Sequence, residues 1–183
     1  MKIEDYGLIG DTQTCALVSP AGSIDWMCVP RFDAGACFAA LLGGEEHGFW
    51  RIAPASGTRS VTRRYRANSL VLETDFETDG GLLRLTDCMP IRQEYPWLVR
   101  LATCVRGEVA VHMKLVIRFN YGETLPWVRK SDHSLEAKAG PDALVLRTRA
   151  HTRGEGFSTV ADFTLREGEK MPFGLHWYPS HRE

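Results

Sequence analysis

The sequence predicts an all-β chain, an antiparallel β-sandwich with one short helix. Apolar and polar residues alternate with a period of two through most of its 183 residues, the pattern of strands buried on one face. Clusters of Gly, Pro, Asn and Asp interrupt the alternation about every 8–12 residues, the spacing of sandwich and barrel strands. Only one stretch carries helix signals, so helices do not supply the layers.

Residues 12–18 (TQTCALV) and 24–29 (IDWMCV) flank the turn sequence SPAGS and predict a β-hairpin. On the second strand Ile24, Trp26 and Cys28 share one face and Asp25, Met27 and Val29 the other, which makes Trp26 and Cys28 core anchors. Pro30 cannot donate to a ladder and ends the strand. The helix is predicted over residues 33–44 (DAGACFAALLGG), with Asp33 as N-cap and Gly43 and Gly44 as the stop. Strands follow at residues 48–54, 58–66, 70–78, 82–90, 97–105 and 108–121. The last is the most regular, with Val111, Met113, Leu115, Ile117 and Phe119 on one face. Residues 133–140, 142–148, 156–167 and 171–179 complete a set of about ten to twelve strands. No linker, low-complexity tract or repeat divides the chain, so residues 1–183 are read as one β domain.

A chain of this length buries a core without disulfide or metal staples. It is 44% hydrophobic and 25% charged, with a formal net charge of −1 and opposite charges interspersed, which gives no electrostatic case for nucleic acid or an anionic membrane. No run approaches the roughly 18 apolar residues of a membrane span, and the opening MKIEDYGLIGD lacks an apolar signal region. The cysteines are Cys15, Cys28, Cys37, Cys88 and Cys104, an odd set without C-x-x-C. They are read as reduced thiols of a cytoplasmic protein rather than zinc ligands.

Glu73, Asp75, Glu77 and Asp79 fall on one face of their strand, about 6.5 Å between successive acids. That lies at the lower end of the separation, about 6.5–9.5 Å, between the acid and base carboxyls of an inverting glycosidase. The competing reading is a solvent-facing ladder opposite Leu70, Leu72 and Phe76, with Arg63, Arg64 and Arg66 as cross-strand partners. A uniform ladder does not split carboxyl pKa values, so the surface reading is preferred. For nucleophilic chemistry there is no G-x-S-x-G, H-E-x-x-H, P-loop or G-x-G-x-x-G motif, and histidines such as His112 and His176 stand alone.

The segment GSIDWMCVPRFD concentrates an indole, a thiol, a guanidinium and two carboxylates in twelve residues. Where the chain leaves the sheet after Pro30, Arg31, Phe32 and Asp33 either project into a cleft or cap the helix and pair with each other.

From these residues a resemblance emerges. IEDYGLIGDTQTCALVSPAGSIDWMCVPRFDAGACFAALLG, LETDFETDGGLLRLTDCMP, RGEVAVHMKLVIRFNYG and FGLHWYPSHRE resemble the N-terminal β-sandwich of glycoside hydrolase family 15 proteins, the glucoamylase and trehalase-like group. The resemblance implies a supersandwich-like fold and a parent enzyme that hydrolyses α-glucosidic bonds with inversion, without metal or organic cofactor. In that family the catalytic glutamates sit in a C-terminal (α/α)6 toroid. Twelve helices of about 11–12 residues do not fit beside the strands, so the toroid is expected to be absent and no catalytic residue is carried over. This chain is then a non-catalytic accessory domain whose partner is its own toroid. Trp26, Arg31, Phe32 and Asp33 are the expected border of the α-glucoside cleft, the ring faces stacking on a pyranose and the charges reaching its hydroxyls. An exposed toroid-docking face predicts self-association of the isolated domain. A second reading is a free-standing carbohydrate-binding module using Trp50, Trp97, Trp127 or Trp177; core packing is the alternative for each of these tryptophans. A third, a self-sufficient enzyme, requires glucose release by this chain.

Overall fold

The computed structural model describes residues 1–132 and 134–182. The strands are β1 (Gly7–Gly10), β2 (Cys15–Val18), β3 (Ser23–Cys28), β4 (Ala36–Phe38), β5 (Phe49–Pro54), β6 (Thr58–Tyr65), β7 (Leu72–Thr78), β8 (Gly81–Cys88), β9 (Trp97–Val116), β10 (Trp127–Lys130), β11 (Ser134–Ala139), β12 (Asp142–Thr148), β13 (Arg153–Glu155), β14 (Ser158–Arg166) and β15 (Lys170–Pro179). All pairings between them are antiparallel. The strand expected over residues 133–140 begins at His133, outside the described residues, and is observed from Ser134. No helix among the described residues is long and apolar enough to cross a membrane.

Two layers share one strand. The first runs β1-β2-β3-β5-β9-β14-β13, with β4 on the edge of β3. The second runs β6-β7-β8-β9-β15-β12-β11-β10. The N-terminal half of β9 lies between β8 and β15, and its C-terminal half lies between β5 and β14. The strands expected at 97–105 and 108–121 are therefore joined in one, which ends at Val116 before a 3-10 turn at Asn120–Gly122 and changes layer between a bulge at Val105 and Gly107. Gly107 has φ +72°, and a Cβ there would stand 2.2 Å from the Gly80 carbonyl oxygen, so only glycine fits this crossing.

The inward faces fill the space between the layers. Val111, Met113, Leu115, Ile117 and Phe119 are all buried, as their alternation predicts, against Trp50, Phe76, Leu83, Leu85 and Phe173. Trp177 is also in this core. Each fully buried aliphatic or aromatic side chain contributes about 1.5–3 kcal/mol.

The helix predicted over residues 33–44 is not formed. Residues 36–38 are strand, paired with Met27 and Cys28 of β3, and residues 40–42 make a single 3-10 turn. Ala36, Cys37, Phe38 and Ala39 are buried in succession, which an extended segment packed on both sides achieves and an amphipathic helix does not. Burial here overrides the helix propensity of alanine.

The acidic face also differs from expectation. Glu73 and Asp75 do point away from Phe76, but they are buried. Arg64 and Arg66 of the preceding segment and Arg84 of β8 lie over them. Arg63 faces elsewhere and donates to the carbonyls of Asp5 and Val18. Asp79 lies in the turn beyond β7, paired with Arg59, and Leu70 is exposed rather than part of the core.

Candidate functional site

The sequence singles out Trp26, Arg31, Phe32 and Asp33, and the fold places Trp26 on β3 and the other three in the loop that leads from β3 to β4. A bulge fixes where Trp26 points. Leu17 pairs with Trp26 and Val18 with Ile24, so Asp25 is the extra residue and the alternation of β3 reverses across it. Ile24, Met27 and Val29 consequently join the main core, whereas Trp26 is half-buried on the other side with Cys28, Ala36 and Ala39. Trp26 is thus not an anchor of the main core. The Asp25 carboxylate is held by the hydroxyls of Tyr6 and Ser23, and burial, reinforced by Asp25, pushes the Tyr6 pKa far above its usual value.

After Pro30 the chain makes a turn in which Ala34 N–H donates to the Arg31 carbonyl. Arg31 Nε donates to Asp33 Oδ1 at 3.0 Å, both side chains lie in solvent, and Phe32 is 66% exposed. The hydrogen bond from Arg31 holds the Asp33 carboxyl below its usual value. Asp33 therefore pairs with Arg31 and caps no helix. The loop is braced on two sides. Phe32 N–H donates to the Gln13 carbonyl at 3.1 Å, and the Tyr121 hydroxyl donates to the Ala34 carbonyl at 3.3 Å. Tyr121 also packs on Trp26, ring centroids 6.0 Å apart, so it is the link between the tryptophan and the loop.

Behind the loop sits an ion pair that local pattern does not reveal. Arg92 Nε donates to Asp11 Oδ2 at 2.8 Å, and Arg92 Nη1 donates to Gln13 Oε1 at 3.2 Å. Asp11 Oδ1 accepts the N–H groups of Gln13 and Thr14, which fixes the β1–β2 turn. Both ion-pair side chains are buried, and Arg92 Nη2 has no partner among the described residues. The partners are 81 residues apart and Arg92 lies outside any strand, so no periodicity marks it.

Glu73 and Asp75 give no acid and base pair. Burial pushes the Glu73 carboxyl up, but the hydrogen bond from Arg66 and the charges of Arg84, Arg64 and Arg66 bring it below its usual value. Hydrogen bonds from Arg84 and Arg64 outweigh burial and lower Asp75 likewise. Two carboxylates that are both ionised at neutral pH supply no general acid. Among the described residues no three His, Cys, Asp or Glu side chains converge as a metal site. The five cysteines are free thiols, and burial raises the pKa of each, Cys28 to about 11.

Of the tryptophans considered as a sugar platform, Trp50 and Trp177 are buried and are excluded from it, whereas Trp97 and Trp127 are exposed. Trp127, 88% exposed, lies in an apolar groove of about 620 Å³ with Leu125, Pro126, Val128 and Phe157.

The trehalase-like N-terminal family profile matches residues 1–162. A trehalase of Mycobacterium tuberculosis is 31% identical over 96% of this chain and 30% of its own length. A trehalase of Thermoplasma volcanium is 33% identical over 94% of this chain and 27% of its own. The chain thus spans under a third of the length of these relatives. Among solved structures, the polysaccharide lyase BACCELL_00875 covers all of this chain with 34% of its own, at TM-score 0.53 and 11% identity, a likeness of fold.

Proposed function

This chain belongs to the trehalase-like N-terminal family, and from that membership we propose that it is a non-catalytic accessory domain of a family 15 glycoside hydrolase, of glucoamylase or trehalase type. Residues 1–183 act as one unit, and the partner is a C-terminal helical toroid of the same protein. In the whole protein an α-glucosidic bond is cleaved with inversion: a protonated carboxyl of the toroid donates to the leaving oxygen and a carboxylate activates water on the opposite face. Trp26, Arg31, Phe32 and Asp33 border that cleft.

The observation that carries this reading is the 30-to-35 loop. It holds a guanidinium, a ring and a carboxylate in solvent at the end of β3, while the buried Asp11–Arg92 pair and Tyr121 keep its backbone in place. Exposed recognition groups on a braced loop suit contact with a ligand held by another domain. Among the described residues, Asp33, Glu73, Asp75, Glu136 and Asp162 are each held below the usual carboxyl range, which favours the ionised form over a general acid at these positions. Packing on the toroid is assigned to the groove around Trp127 and Phe157, since relatives carry more than twice this length again outside the matched region. A cytoplasmic location agrees with the five free thiols.

The deciding measurement is glucose release from trehalose, maltose and soluble starch by this chain alone. None is expected. Sustained release by the pure chain would assign it chemistry of its own and end the accessory reading.

A further inference from the structure

The turn between β1 and β2 grips the 30-to-35 loop and its root at two points. The Gln13 carbonyl accepts the Phe32 N–H at 3.1 Å, and the Thr14 hydroxyl donates to the Cys28 carbonyl at 2.6 Å. The end of β3 and the middle of the loop thus hang on neighbouring residues of one turn. That turn is strained. Thr12 has φ +77°, a left-handed conformation that a β-branched residue rarely adopts. Asp11 holds it there: its N–H donates to the Thr14 carbonyl at 3.2 Å, and its Oδ1 accepts the N–H groups of Gln13 and Thr14 at 3.0 and 2.9 Å.

Arg92 fixes Asp11 in its turn, from the segment between β8 and β9. Its Nε donates to Asp11 Oδ2 and its Nη1 to Gln13 Oε1, so one planar fork spans the residues on either side of Thr12. A lysine offers one nitrogen on a flexible stem and does not reproduce two donors at a fixed angle. The arrangement is a costly way to fill space. Apolar side chains of like volume are often as good for stability as a buried ion pair, and Arg92 Nη2 is buried without a partner among the described residues. What apolar packing does not do is set the direction of the Gln13 carbonyl and the Thr14 hydroxyl.

We propose that Arg92 is a positioning residue for the α-glucoside cleft, acting through Asp11 and the 11-to-14 turn to hold Arg31, Phe32 and Asp33 where substrate meets them. It touches no substrate itself. A recognition group displaced by about 1 Å loses much of its effect, so a device that fixes one backbone amide of the loop bears on the rate. The proposal rests on the loop as border of the cleft, and it adds a residue from a different segment whose removal leaves every group of that border in the chain.

The test joins kinetics of the whole protein, on trehalose or maltose, to hydrogen exchange at the Phe32 amide of this chain. Arg92→Lys is expected to lower kcat/KM about tenfold, divided between kcat and KM as Arg31→Ala divides it. It adds little to Arg31→Ala with Asp33→Ala, because the groups it positions are then gone. Phe32 exchange rises about tenfold in Arg92→Lys while the amides of β9 keep their rates. Gln13→Ala removes an exposed acceptor and leaves the Asp11–Arg92 pair, so it keeps the fold and shows a smaller share of both effects, which decides the matter if Arg92→Lys does not fold. Unchanged Phe32 exchange in these variants overturns the relay. A fall in kcat/KM for Arg31→Ala but for neither relay variant, or a fully additive loss on top of Arg31→Ala with Asp33→Ala, overturns the positioning role and leaves the cleft border standing. Faster Phe32 exchange with kcat/KM unchanged in Arg31→Ala and Arg92→Lys alike removes the loop from the cleft, and the proposal falls with that reading.

Discussion

Arg100 closes on both carboxylate oxygens of Asp87, at 2.8 and 3.3 Å, with neither side chain exposed. The remaining guanidinium donors reach the carbonyls of Trp50 and Gly22, which belong to the other layer, and the Trp50 ring lies 5.1 Å from the guanidinium carbon. One ion pair therefore joins β8 and β9 to the backbone opposite. Arg100→Met leaves the buried Asp87 unpaired and is expected to cost about 3–5 kcal/mol by urea denaturation. Adding Asp87→Leu restores much of that loss, since no charge is then left buried. A loss for Arg100→Met no larger than that for the exposed pair Arg59–Asp79 would contradict the role.

Gly22 carries the second test of this junction. Its φ is +71°, and a Cβ would meet the Ile52 carbonyl oxygen at 2.4 Å and the Phe76 ring at 3.0 Å. Gly22→Ala destabilises by strain and contact together, by more than about 1 kcal/mol. Gly57→Ala, where nothing lies within 4 Å, is the control expected to be close to neutral.

The Glu73–Asp75 cluster sets a pH dependence. Both carboxyls are lowered in the folded chain by their arginines, so their contribution is present above the unfolded carboxyl range, about pH 4, and is lost as the pH falls through the folded values. Glu73→Gln with Asp75→Asn is less stable at pH 7, and its deficit against the parent shrinks below about pH 4. A deficit independent of pH in urea titrations would rule out the linkage.

At the loop edge, Arg31→Ala and Asp33→Ala remove solvent-exposed groups whose bond to each other contributes little to stability. In the whole protein, on the hydrolase reading proposed above, they are expected to lower kcat/KM by about tenfold while the thermal midpoint stays within a degree or two. Unchanged kcat/KM would detach the loop from the cleft.

The apolar groove predicts self-association of the isolated chain, visible as apparent mass rising with concentration in light scattering. Trp127→Ser with Phe157→Ser reduces that rise without loss of stability, both rings being exposed. A parent that stays monomeric at high concentration would argue against this docking face.

Much of this architecture is legible in the sequence wherever one face of a strand is buried and the other wet. The burial of alternate residues from Val111 to Phe119 and the hairpin around SPAGS are observed as their patterns predict, although the strand carrying the run ends at Val116. Legibility fails where tertiary contacts overrule local pattern. The extra residue Asp25 turns Trp26 away from the main core, and burial on both sides converts residues 36–38 from expected helix to strand. Arginines from neighbouring strands cover Glu73 and Asp75, so a polar face is not an exposed one. Arg31, Phe32 and Asp33 are readable as a polar cluster after a strand end, but Asp11 and Arg92 behind them meet only through the fold.

Because β9 is a member of both sheets, neither is a detachable module. Splitting the chain beside Gly107 would yield two fragments, each missing the central rung of one layer. Recombination between relatives is therefore expected to succeed when this strand is inherited whole, and a protein-complementation pair cut at the crossing should assemble poorly.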